Sequence, residues 1–195
     1  MNEIQLLRTQ LARERANAGA VANACASALE RVSSPLAAGS PLGEFQQASV
    51  DYLVCVLAWF EERDQRLTDL ARAWPEAPVR RALEDALALP GRSRETLGKL
   101  EAACAHTTAA ARADSAAGDG AQRRWQEFAQ YFNRVWSARR DALDALLAAN
   151  RRPGDWRAVC GIDADSILEE RRRYGQVCAR LPPGTTLAAP PLSGA

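Results

Sequence analysis

Residues Gln122 to Ala149 read QRRWQEFAQYFNRVWSARRDALDALLAA. Trp125, Phe128, Phe132, Val135, Leu143 and Leu146 recur every three or four residues, the period of an α-helix with one buried face. The stretch contains no Pro or Gly, so a helix over 122–149 is the prediction. One position on the apolar face breaks the pattern: between Val135 and Leu143 stands Arg139.

The same reading extends to both sides. Leu7, Leu11, Ala18, Val21, Cys25 and Leu29 predict a helix over 3–32, ended by Ser33-Ser34-Pro35. Two Pro and two Gly make 35–43 a loop. Phe45, Ala48, Tyr52, Val56, Trp59, Leu67 and Leu70 predict a helix over 44–74. A short helical piece over about 79–89 follows Pro78 and stops at Pro90-Gly91. Ser93 is the expected N-cap of a helix over 93–113, with Leu97, Leu100 and Cys104 inward. Ser166-x-x-Glu169 has the spacing of a capping box and predicts a last helix within 163–180.

Four long helices with short connections predict an all-α fold, an antiparallel up-down four-helix bundle with a short extra helix and a C-terminal helix. The expected domain spans 1–182. The Pro/Gly/Ala-rich residues 183–195 form an expected flexible tail.

Composition restricts the function. The 195 residues include 24 acidic and 25 basic side chains, a balance unlike the basic excess of nucleic-acid binders. Lys99 is the only lysine. Five widely spaced cysteines (Cys25, Cys55, Cys104, Cys160 and Cys178) contain no C-x-x-C pair. They read as small buried hydrophobes in a reducing compartment, not as a disulfide framework or zinc ribbon. No apolar run approaches the length of a membrane span, and no signal-peptide core follows Met1, so the expected location is cytoplasmic.

The informative residues are the charges on the core stripes. Glu14 lies between Leu11 and Ala18, Arg63 between Trp59 and Leu67, and Arg139 between Val135 and Leu143. Buried charges must pair, or else reach water along their aliphatic stems. Two Arg against one Glu leaves an excess positive charge, to be met by another acid such as Glu62 or Glu101, or by a small anion. The single histidine, His106, reads as a surface or flank residue, with a relic ligand or general base as the alternative. Asp163-x-Asp165 reads as capping and dipole partners of the last helix. Glu169 to Arg173 reads as a solvated charged face.

From Tyr131 to Arg173 the chain resembles the hemerythrin-like family, four-helix bundles that hold two irons through His and carboxylates. The resemblance rests on an aromatic start, an apolar run, a short loop and Asp155-Trp156, and extends weakly over Leu11 to Pro182. It aligns Val135 and Arg139 with the His and Glu of one H-x-x-x-E motif, and Trp59 and Arg63 with those of the other. Glu14-Arg15 stands where a Glu-His pair is common. The resemblance therefore implies a bundle whose iron site is lost, with a core cluster of Glu14, Arg63 and Arg139, flanked by Glu62, Trp59, Val135 and His106. No cofactor is expected.

The expected function is a non-enzymatic interaction or regulatory module, with another protein or a second copy of the chain as partner. One alternative is a bundle that binds a small anion or ligand through its core Arg and Glu. The other is a di-iron, oxygen-binding protein with atypical ligands from Glu14, Glu62, Glu101 and His106.

Overall fold

The computed structural model of the chain describes residues 3–30, 40–72, 90–110, 120–135 and 160–187. These form five main helices: α1 (Glu3–Glu30), α2 (Pro41–Arg72), α3 (Pro90–Ala110), α4 (residues 120–135) and α5 (Ala164–Cys178). No strand occurs among the described residues, and the fold is all-α. No described helix is long and apolar enough to cross a membrane. The expected short helix at 79–89, the continuation of α4 through 149 and the last residues of the tail lie outside the described residues.

Helix α2 packs against α1, α3 and α5. Glu14 of α1 meets Arg63 late in α2, whereas Cys25, late in α1, bonds Ser49, early in α2. The two helices thus run in opposite directions. Helices α3 and α4 are also opposed, because Trp125 Nε1 donates to Thr107 Oγ1 at 3.0 Å while Tyr131 OH donates to Glu95 Oε2 at the other end.

Two prolines begin helices that the sequence placed later. Ser40, not a residue near Glu44, caps α2: its Oγ accepts from Gly43 N at 3.2 Å and its carbonyl from Glu44 N at 3.0 Å. Pro41 then occupies the first helical position, where a missing N–H costs nothing and φ is already helical. Helix α3 likewise begins at Pro90, which puts Ser93 inside its first turn, not at its cap. The cap of α5 is also displaced. Asp163 Oδ1 accepts from Ser166 N at 2.7 Å and Ser166 Oγ accepts from Asp163 N at 3.0 Å, so the box is Asp163–Ser166 and not Ser166–Glu169. Asp165 sits in the first turn of α5, where the helix dipole favours a carboxylate.

The core follows α1 closely: Leu7, Leu11, Ala18, Val21, Cys25 and Leu29 are all buried. Trp125, Phe128, Phe132 and Val135 do the same for α4, with Trp125 edge-on to Phe128 at 5.7 Å between centroids. On α2 the expected Phe45, Tyr52 and Val56 are buried, and the buried face widens to Ser49, Leu53, Leu57 and Phe60, while Ala48 and Trp59 are only partly buried. On α3 the buried positions are Thr96, Leu100 and Ala103, and Leu97 and Cys104 lie at its margin. Alanine and glycine let the helices approach closely, so a Cβ added at Gly19 would meet Asn133 Oδ1 at 2.8 Å. Leu181 and Leu187 pack against the core, which keeps the chain on the bundle past Pro182-Pro183.

All five cysteines are free thiols. Cys25 and Cys160 are buried as small hydrophobes, and burial pushes their thiols up to about 12 and about 11. Cys178 departs from that expectation. It falls on the outer side of α5 and is exposed.

Candidate functional site

Helices α1, α2 and α5 enclose two polar nodes. The first is Glu14 with Arg63. Arg63 Nη1 donates to Glu14 Oε2 at 2.5 Å and Nη2 to Glu14 Oε1 at 3.4 Å, with side-chain exposures of only 8% and 1%. Arg63 Nε donates to the Cys160 carbonyl at 2.7 Å, and Gln10 Nε2 adds a bond to Glu14 Oε1 at 3.3 Å. All three guanidinium nitrogens are therefore engaged, as a buried cation requires. The guanidinium lies over Phe60, with Cζ 6.0 Å from the ring centroid.

Local chain geometry presents the Cys160 carbonyl. Gly161 has φ +53, a left-handed conformation that turns the chain between Cys160 and the Asp163 cap of α5. A side chain there would be strained whatever the space around it.

The second node is Glu170, fully buried on α5. Its Oε1 accepts from Asn17 Nδ2 of α1 and from Tyr52 OH of α2, each at 2.9 Å. Its Oε2 is buried and, among the described residues, accepts no hydrogen bond. Burial, and then the neighbouring Glu170 carboxyl, push the Tyr52 phenol far above its ordinary range. Tyr52 is therefore held as a proton donor. The Tyr174 ring lies 5.8 Å from that of Tyr52, and burial pushes its phenol up to about 12.

The residues singled out in the sequence divide clearly. Glu14 and Arg63 are together in the core. Glu62 is on the surface, bonded to Arg66 at 3.3 Å, and Glu101 is exposed. Neither supplies a further acid to the core, where Asp64 and Glu170 are buried instead. Among the described residues the buried charged side chains are Glu14, Asp64, Glu170 and Arg63, while Arg139, the other expected core cation, lies outside them. Trp59 is partly buried and Val135 buried. His106 lies on α3, with its side chain outside the described set, and Arg139 and Asp155-Trp156 lie outside the described residues altogether.

Glu170 was hidden within a run of charges, Glu169 to Arg173. Helical phase separates the run. Glu169 faces out and binds Arg172 and Arg173 at 2.7 and 2.6 Å, while Glu170 turns inward. The signal was present in the series Ile167, Glu170, Tyr174, Val177 and Leu181, which has alternating steps of three and four.

A di-iron centre needs several imidazoles and carboxylates with open lone pairs around one point. These residues do not fit it. Both Glu14 oxygens accept from a permanently cationic guanidinium, and Glu170 Oε1 is taken by an amide and a phenol. Among the described residues, no three His, Cys, Asp or Glu side chains are placed to share a metal ion. Comparison with protein-family models, with curated proteins and with solved structures finds no match to this chain.

Proposed function

We propose that this chain is an antiparallel up-down four-helix bundle of the hemerythrin-like type that has lost its irons and serves as a non-enzymatic interaction module. One observation carries the reading. Arg63, at a position that the resemblance gives to a ligand carboxylate, spends its nitrogens on Glu14 and on the Cys160 carbonyl. A pair closed on itself in this way offers neither a nucleophile nor an open metal ligand, and its work is to fix the packing of α1, α2 and the approach to α5. Opposed α1 with α2, and α3 with α4, support the up-down arrangement. Five free thiols suit a reducing, cytoplasmic setting.

The engagement of Arg63 counts against the anion-binding alternative. The placement of Glu62 and Glu101 on the surface counts against iron held by them with Glu14. The partner is another protein or a second copy of the chain. The test is metal content: protein loaded aerobically with iron(II), then desalted, is expected to carry none in stoichiometric amount by elemental analysis. About two irons per chain, with the absorption of an oxo-bridged pair, would overturn the proposal.

A further inference from the structure

Helix α5 meets the bundle through a narrow interface. Of its fifteen residues only Glu170 and Val177 are buried, and one of those two is a carboxyl. Helix α1, by contrast, buries Leu7, Leu11, Val21, Cys25 and Leu29 along its whole length. Most polar bonds of α5 stay within its own segment. Asp163 and Ser166 bond each other, and Glu169 binds Arg172 and Arg173. Among the described residues, the side-chain bonds that leave α5 for α1 and α2 converge on Glu170. The Tyr174 ring beside Tyr52, with Leu181 and Leu187 beyond the helix, completes the attachment.

We infer that α5 and the residues after it form a releasable arm, which opens as one unit while α1 to α4 stay folded and uncovers Asn17 and Tyr52. The pivot is Gly161. Just before it, Cys160 is buried and its carbonyl is held by Arg63. Just after it, the Asp163 cap begins the arm. Gly161 has φ +53, so the bend between the two is made by the residue that adopts it most readily. The Glu14–Arg63 pair lies on the bundle side of this pivot and survives release. Docking gains little beyond the contacts of Val177, Tyr174 and the two leucines. It also takes a carboxyl out of water, and Glu170 Oε2 finds no donor among the described residues in return. Because the capping box and the Glu169 ion pairs are internal, they do not oppose release. An element with so few buried apolar side chains belongs at the low end of the local stabilities within a fold. The inference does not rest on the proposed loss of iron, which depends on Glu14 and Arg63, so the two tests fail independently.

The experiment is hydrogen–deuterium exchange of the full chain, read by mass spectrometry on overlapping peptides at increasing urea concentrations below the unfolding transition. Peptides from α5 should open together, roughly tenfold or more often than the central peptides of α1 and α2. Their exchange should also depend more weakly on urea, because less surface is exposed. Two variants separate release from global unfolding. Val177→Ala, within the arm, should raise the opening of α5 by about tenfold or more. Leu100→Ala, in the buried face of α3, should speed exchange in α1 to α3 and leave the opening of α5 unchanged. Exchange of α5 with the rate and urea dependence of α1 would overturn the inference. So would a Leu100→Ala protein in which α5 speeds up as much as α3, or exchange that starts at the ends of α5 and spreads inward without a common opening. If either variant does not fold, the wild-type urea series decides the matter alone.

Discussion

Replacement of Arg63 by Ala tests the core pair most directly. The substitution removes two bonds to Glu14 and one to the Cys160 carbonyl, and leaves a carboxylate of 1% side-chain exposure without its counter-charge. Breaking a buried ion pair from one side costs about 3–5 kcal/mol, mainly through the charge left behind. For a chain of this size, about 2–4 °C of Tm is lost per kcal/mol, so a fall of roughly 6–20 °C is expected. The assay is urea unfolding followed by far-UV circular dichroism and tryptophan fluorescence, with a separate cycle made of Glu14→Leu, Arg63→Met and the double variant Glu14→Leu/Arg63→Met. The double variant removes both charges and should recover most of the loss, since apolar replacements of a buried pair are often neutral or stabilising by about 1–4 kcal/mol. A loss below about 0.5 kcal/mol for Arg63→Ala, the range of surface substitutions, would refute the burial of the pair. A double variant as unstable as the sum of the singles would refute their coupling.

Two further outcomes follow from the raised phenols and thiols. Folded Tyr52 keeps its proton where the unfolded phenol, with a pKa of about 10, releases it. Its contribution is therefore complete below pH 10 and is lost above, by about 1.4 kcal/mol per pH unit. Tyr52→Phe should flatten the fall in urea midpoint between pH 9.5 and 11, values chosen to span roughly the phenol range, and an unchanged slope would exclude Tyr52 as its source. Alkylation followed by peptide mass mapping should label exposed Cys178 first, and buried Cys25 and Cys160 only as the protein unfolds. Early labelling of Cys25 would contradict its place in the core.

Periodicity found the helices because apolar burial sets the pattern. It found Glu14 because that residue continues the steps Leu7, Leu11, Glu14, Ala18 and Val21 without interruption. It was less secure on α2, where Trp59 and Phe60 both offer large apolar surface and only packing decides that Phe60 turns inward. Helix starts were misjudged at Pro41 and Pro90, since proline stops a helix from within but begins one comfortably. Glu170 is hard to read from sequence because a charge run is normally solvated, and only the phase of α5 separates it from Glu169. Asn17 escaped because it stands one place before the apolar position Ala18 and owes its burial to α5, an element far away in sequence. The pairing of polar groups across 153 positions, as between Asn17 and Glu170, is written in tertiary geometry alone.

Much of the buried surface of α1 is alanine, at Ala18, Ala22, Ala24, Ala26 and Ala28. Such a helix has few ridges to resist sliding along its axis. Glu14 and Asn17 stand about 4.5 Å apart along that axis. Each engages a group anchored elsewhere, the first through Arg63 to the Cys160 backbone and the second through Glu170, which also holds Tyr52. A slip of one helical turn, about 5.4 Å, would break both at once. The two nodes act as dowels, fixing the axial alignment of three helices whose apolar contacts would tolerate several.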